Sequence, residues 1–225
     1  MGNNILNIIS SSSKGNCYIY NKDLMLDIGV NFVKIKPYIR DLKLLLLTHR
    51  HQDHINRKTL QKLIYEMPTL KIVCGEWIVQ LLIDLGVSKK NIYVLKINKK
   101  YDLGKYIIEP VEAIHDVPNC GYKIIIKATN YKIFHITDTS SLDGIEAKGF
   151  DMFSIESNYN EELLEQHIQE CIENNDDENK LFYLQRVAKT HLSDRSCTDF
   201  LLENMGNNSI YEKIHQSSYN YKEVD

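Results

Sequence analysis

The segment Thr48-His49-Arg50-His51-Gln52-Asp53-His54 places three imidazoles and a carboxylate within six residues. Neutral imidazole and carboxylate are the ligands that borderline divalent cations such as Zn²⁺ or Mn²⁺ prefer. The same ligands suit Fe, so the donor types alone do not choose the metal. A histidine-rich polar loop without a ligand is the plainer alternative, but clusters this dense in a short tract point to metal. The chemistry on offer is therefore metal-assisted hydrolysis. The apolar run Leu42–Leu47 directly precedes the cluster and reads as a buried strand. The ligand types then sit in the loop at its carboxyl end, where alternate side chains can be aimed at one point.

A two-metal site takes more ligands than this loop supplies, and the chain has further candidates at expected strand ends. Asp27 ends Leu24-Met25-Leu26-Asp27 and His115 follows Val111–Ile114. Asp138 follows Phe134–Thr137, His191 precedes the last expected helix, and His215 follows the last expected strand. His135 lies inside a strand pattern and reads as structural, since half-buried imidazoles are often simply hydrogen-bonded. His167 falls in an amphipathic helix and reads as packing or interface. Ser12, Ser13 and Asn16 lie in the turn-rich stretch Ser10–Asn16. They read equally well as donors to a phosphate or as turn formers.

The elements that must position these residues follow from periodicity and punctuation. Strands are expected at Ile5–Ile9, Cys17–Tyr20, Leu24–Asp27, Leu42–Leu47, Lys71–Cys74, Ile92–Lys96, Tyr106–Ala113, Tyr122–Ala128, Lys132–Ile136, Asp151–Ile155 and Ser209–Ile214. A hairpin is expected across Thr129-Asn130. Helices are expected at Asn31–Arg40 (with Pro37 disfavouring its middle), Lys58–Tyr65, Glu76–Leu85 closed by Gly86, Glu161–Glu173, and Asp194–Met205 with Ser193 as N-cap. Asn174–Asn179 reads as a polar acidic loop, and the tail Asn220–Asp225 as polar and fraying. Two strand-rich stretches with helices suit mostly antiparallel sheets covered by helices on the outside.

The 225 residues, 43 % of them hydrophobic, support a sizeable core, and without a Pro/Gly/Ser-rich linker a single domain over 1–225 is expected. The net charge of −3 carries no global basic signature, so any nucleic-acid contact must use local patches. Lys96 with Lys99 and Lys100, Arg57 with Lys58, and Lys89 with Lys90 are candidates, each also readable as a solvated face. Five scattered cysteines without C-x-x-C spacing argue for a reducing compartment. Met1–Ile9 does not resemble a signal peptide, and no apolar run is long enough to span a bilayer. A cytoplasmic protein is expected. No Ser/His/Asp order or glycine-rich phosphate loop points to other chemistry.

The string His49-x-His51-x-Asp53-His54 resembles the H-x-H-x-D-H signature of the metallo-β-lactamase superfamily of hydrolases. The order Asp27, that loop, His115, Asp138 and a late His matches it over nearly the whole chain. Ser11–Asn16, His115-Asp116 followed by Gly121-Tyr122, Thr137-Asp138-Thr139, Glu156-Ser157-Asn158 and His191-Leu192-Ser193 resemble the WalJ/YycJ branch of DNA exonucleases. The chain departs from that branch at Tyr159-Asn160 and at Gln216.

The resemblance implies a four-layer αββα sandwich with two divalent ions, Zn or Mn. His49, His51 and His115 would hold one. Asp53, His54 and a late His would hold the other, with Asp138 bridging them. Two such cations ~3.5–4 Å apart can hold a bridging hydroxide and clamp a phosphoryl group. Asp53 thus counts as catalytic as well as a ligand. Relatives with two late histidines imply His215 as the ligand and His191 as proton donor, although the reverse assignment remains open. Asp27 and Glu156 would accept hydrogen bonds from ligand or donor imidazoles, Glu156 being readable also as a surface acid. The implied activity is phosphodiester hydrolysis, with DNA as substrate. Cyclic or other small nucleotides, and lactone or thioester hydrolysis, are the alternative enzyme readings, and a non-catalytic binding protein is the alternative class.

Overall fold

The computed structural model describes residues 5–174 and 177–217. The expected tail Asn220–Asp225, and residues 175–176 of the expected acidic loop, lie outside them. The described residues form two compact units, one up to Lys99 and one from Lys100 onward.

In the first unit the strands are β1 (Leu6–Ser12), β2 (Gly15–Tyr20), β3 (Leu24–Leu26), β4 (Leu44–Leu46), β5 (Lys71–Cys74) and β6 (Ile92–Val94), side by side in that order. The first three pair antiparallel; β3 to β6 pair parallel. Parallel strands need crossovers, supplied by α1 (Phe32–Ile35), α2 (Arg57–Glu66) and α3 (Val79–Asp84). Leu24–Leu26 and Leu44–Leu46 are buried throughout, as strands covered on both faces must be. Met25, Leu45 and Ile72 share a core with Leu60 and Leu63 of α2 and Leu82 of α3.

Pro37 stops the expected helix at Ile35, because proline cannot donate to the helical ladder, and Lys36–Tyr38 becomes a 3₁₀ turn. The expected helix Glu76–Leu85 likewise opens as a 3₁₀ turn, and its end is closed by Gly86 at φ +91°.

The second unit holds β7 (Tyr101–Asp102), β8 (Tyr106–Ala113), β9 (Asn119–Ile126), β10 (Tyr131–Ile136), β11 (Met152–Glu156) and β12 (Ile210–Ile214) in one sheet. Strands β7 to β10 run antiparallel, and β10, β11 and β12 run parallel. The sheets are thus evenly mixed, which corrects the expectation of mostly antiparallel pairing. The short strands β3 to β6 take the parallel pairing their crossovers permit. Asn130 turns the expected hairpin at φ +54°.

Helices α4 (Glu161–Glu173), α5 (Glu178–Thr190) and α6 (Asp194–Asn204) complete the unit. Helix α5 was not expected from the sequence, although Leu181, Leu184 and Val187 recur at helical spacing. With Leu164 and Cys171 of α4, Leu184 and Val187 form a small core of their own. Ser193 caps α6 by accepting from Ser196 N, as expected, and Phe200 and Leu201 pack with Phe134 and Phe153.

Among the described residues no helix is long and apolar enough to cross a membrane. All five cysteines are buried and unpaired with one another. Burial pushes the Cys74 and Cys197 thiols up to about 12. Thiolate is the reactive form. Ellman's reagent should therefore label no thiol in the native protein and all five once urea unfolds it; one fast-reacting native thiol would refute this.

Candidate metal centre

Each unit gathers a cluster of imidazoles and carboxylates just past the carboxyl ends of its strands. In the first unit, Asp27 follows β3 and Thr48-His49 follow β4. His54 Nδ1 lies 2.6 Å from Asp27 Oδ2, both side chains fully buried. Thr48 Oγ1 donates to the same carboxylate (2.9 Å) and lies 3.0 Å from His49 Nδ1. With the hydroxyl proton directed at Asp27, His49 Nδ1–H must be the donor to Thr48, and His54 Nδ1–H the donor to Asp27. Both rings are thereby held as tautomers whose Nε2 carries the lone pair a cation requires. Burial pushes the Asp27 carboxyl above its usual range, against the pull of His54 and Thr48.

The neighbouring rings are close: His49 Nε2 to His51 Nδ1 is 3.1 Å, and the His49 and His54 centroids are 4.1 Å apart. Asp53 Oδ2 lies 3.5 Å from His54 Nε2. Asn16 is buried; its backbone N–H donates to Asp53 O (2.7 Å), and its side-chain amide lies 2.9 Å from His54 Nε2. It therefore braces the histidine loop. Ser12 Oγ accepts from Lys14 N in the turn, and Ser13 is exposed.

Gly29 is what lets this loop close. A Cβ there would sit 1.6 Å from the carbonyl oxygen of Asp53. Gly29→Ala should therefore destabilise the protein by about 3 kcal/mol, the upper end for overpacking, and weaken any divalent-metal binding by the histidine loop. Thermal melts with Zn²⁺ and Mn²⁺ titrations check this; an unchanged Tm and affinity would contradict it.

In the second unit, His115 Nδ1 donates to Thr190 O (2.9 Å) from its place after β8. Its Nε2 lies 3.1 Å from Asp116 Oδ1, and Asp116 is bonded in turn by Arg186 of α5. Past β10, Asp138 Oδ1 lies 3.1 Å from His215 Nδ1 and 3.3 Å from His191 Nδ1. Glu156, the last residue of β11, is fully buried rather than a surface acid, and its Oε1 is 2.7 Å from His191 Nδ1. Its Oε2 accepts from Thr139 N. Burial works against its ionisation, but the His191 charge and hydrogen bond outweigh that and hold the carboxyl below its usual range. Asp138, Glu156, His191 and His215 each offer a ligand atom, all within 4.8 Å of one another. That spacing and donor chemistry fit a divalent cation.

Three of these residues sit in the left-handed backbone region: Asp27 (φ +56°), Asp138 (φ +53°) and His215 (φ +53°). Such conformations cost energy and cluster at functional sites. His135, by contrast, is buried within β10. Sequence reasoning missed Thr48 and Thr137, whose hydroxyls contact the imidazoles, and Arg186 with Asp116. Arg186 lies on the unexpected helix; the hydroxyls had a signal only in adjoining His49 and Asp138.

In the metal-free protein, burial would lower the His215 pKa, but the Asp138 carboxylate overrides it and raises it to about 10. Its contribution to stability is full below the unfolded value near 6.5 and lost as pH rises through about 10. A ligand imidazole must be neutral. With His215 as the expected ligand, metal binding at pH 7–8 should release about one proton from it, and affinity should rise about tenfold per pH unit in that range. Calorimetry in buffers of different ionisation enthalpy measures this; zero proton release would refute it.

A profile of the β-lactamase superfamily domain matches residues 28–193. Solved structures share the fold at low identity. The metallo-β-lactamase fold protein YhfI from Bacillus subtilis has a TM-score of 0.69 at 15 % identity, over 95 % of this chain and 86 % of that one. The short form of human tRNase Z has a TM-score of 0.68 at 10 % identity, over 95 % and 92 %. A diphosphatase from the PhnP family has a TM-score of 0.63 at 12 % identity, over 96 % and 87 %. No curated protein matches the chain by sequence.

Proposed function

Given that the chain belongs to the β-lactamase superfamily domain family, we propose that it is a metal-dependent phosphodiesterase acting on DNA, an exonuclease-like enzyme of the WalJ/YycJ type. The proposed ligands are His49, His51, Asp53, His54, His115, Asp138 and His215. Two divalent ions, Zn or Mn, would supply Lewis acidity and a nucleophile at neutral pH. Asp138 offsets their charge. Asp27 and Thr48 keep His54 and His49 in the ligating tautomer.

The observation that carries the reading is the contrast between the two late histidines. His215 is 1 % exposed and wedged against Asp138 and Thr137, as a ligand would be. His191 is 15 % exposed, with Nδ1 tied to buried Glu156. That hydrogen bond occupies Nδ1 and leaves Nε2 as the ring nitrogen that would hand a proton to a leaving oxygen. A phosphodiester leaves as an alkoxide and needs that proton. The five buried cysteines form no disulfide with one another, which suits a reducing, cytoplasmic setting.

Two of the similar structures are named for tRNA and diphosphate chemistry, so the test must compare polymers with small phosphates. Purified protein with added Mn²⁺ or Zn²⁺ is incubated with labelled linear DNA, RNA and cyclic nucleotides, beside Asp53→Ala. Metal-dependent DNA digestion that vanishes in the variant supports the reading. Cleavage of only small nucleotides would replace it with a small-molecule phosphodiesterase. No turnover of any phosphodiester would overturn it.

A further inference from the structure

We infer that a basic concavity on the second unit's sheet seats a single strand of nucleic acid away from the metal cluster. Lys100, Ile107, Glu109, Lys123, Ile125, Lys132 and Phe150 line it, enclosing about 240 Å³. Strand register builds it: Ile107, Ile125 and Lys132 form one row across three strands, and Glu109 with Lys123 forms the next row on the same face. Successive side chains of a strand alternate between faces. The even-numbered partners Ile108 and Ile124 are therefore fully buried, while these two rows stay half-exposed.

Three cations face one anion in a chain whose net charge is −3. Glu109 lies 3.9 Å from Lys100. Among the described residues, Lys123 and Lys132 have no acidic side chain within ion-pair distance. The floor between them is apolar, and the Phe150 ring is braced by Phe134 and Phe153 at 6.3 and 6.5 Å. Cations around an apolar, aromatic floor are what a single strand needs, with phosphates at the rim and a base against the floor. A duplex would keep its bases stacked inside and leave that floor unused.

The placement also suits the substrate class in the proposed function, on which the choice of occupant rests. Strands β8 and β10 run the same way, and six residues separate Glu109 from His115 and Lys132 from Asp138. At roughly 3.3 Å per residue the concavity lies about 20 Å from the cluster. A strand of several nucleotides spans that distance; a mononucleotide does not.

The test is Lys123→Glu with Lys132→Glu in the full-length, metal-loaded protein. Binding of fluorescein-labelled dT20 is read by anisotropy on a His191→Ala background, so that the strand survives. The Kd should rise about tenfold or more, and the slope of log Kd against log salt should flatten by about 1.4, two single-strand phosphate contacts. On the native background, hydrolysis of bis(p-nitrophenyl) phosphate should stay unchanged. Unchanged Kd and slope overturn the inference, as does an equal loss from the control pair Lys34→Glu with Lys62→Glu. If the double variant melts early, Lys123→Gln with Lys132→Gln decides by the same criteria. Strand binding that depends on these lysines without cleavage would leave the concavity standing and the phosphodiesterase reading fallen. Cleavage of dT20 undiminished in the double variant would do the reverse.

Discussion

His191→Ala should lower kcat for DNA cleavage about 10²–10⁴-fold, the usual worth of a positioned general acid, while bound metal stays at the native level. The loss should shrink with bis(p-nitrophenyl) phosphate, because p-nitrophenolate leaves without needing a proton. This dependence on leaving group separates proton donation from ligation. Glu156→Gln should reproduce part of the effect, since it replaces the carboxylate that orients the ring 2.7 Å from Nδ1 with a neutral amide. Metal analysis and kinetics with both substrates make the measurement. A loss of metal in His191→Ala, equal for both substrates, would make His191 the ligand and reassign His215 as donor.

Asp138→Ala is expected to have the largest effect. Its carboxylate stands 3.1 Å from His215 and 3.3 Å from His191, and Asn119 fixes its backbone by donating to Asp138 O at 2.7 Å. On the proposed function, removing it would take away a ligand and the negative charge that would offset two cations. Activity should fall by about three orders of magnitude or more, equivalent to several kcal/mol of lost charge stabilisation. Metal content should fall with it, as measured by elemental analysis after dialysis. The variant also tests the electrostatics of the metal-free protein. Without Asp138 the His215 pKa should drop from about 10, because that carboxylate is what outweighs burial. NMR titration of the His215 ring would show it. Unaltered metal content with full activity would remove Asp138 from the site.

Much of the fold was legible because it rests on local rules. Strand β8 over Tyr106–Ala113 and helix α4 over Glu161–Glu173 match their expected limits, and Pro37, Gly86 and Asn130 punctuate where their backbone chemistry requires. Helix α5 was not legible in the same way. Its first turn takes in Glu178 and Asn179, which read as part of a polar acidic loop, and its apolar stripe of Leu184 and Val187 is completed only by α4.

The candidate site divides along the same line. Residue types and spacing determined by themselves that this chain carries a histidine- and aspartate-rich centre suited to divalent metal, since the H-x-H-x-D-H donors lie within six positions. Tertiary structure alone decided which carboxylate meets which imidazole. Asp27 reaches His54 across 27 positions, Glu156 reaches His191 across 35, and Thr137 reaches His215 across 78. It also decided the left-handed backbone at Asp27, Asp138 and His215, and the gathering of Lys100, Lys123 and Lys132 on one sheet face. The reason is physical. Propensity and periodicity act over a few residues, whereas a tautomer, a shifted pKa or a strained backbone angle depends on groups that meet only when distant strands pair.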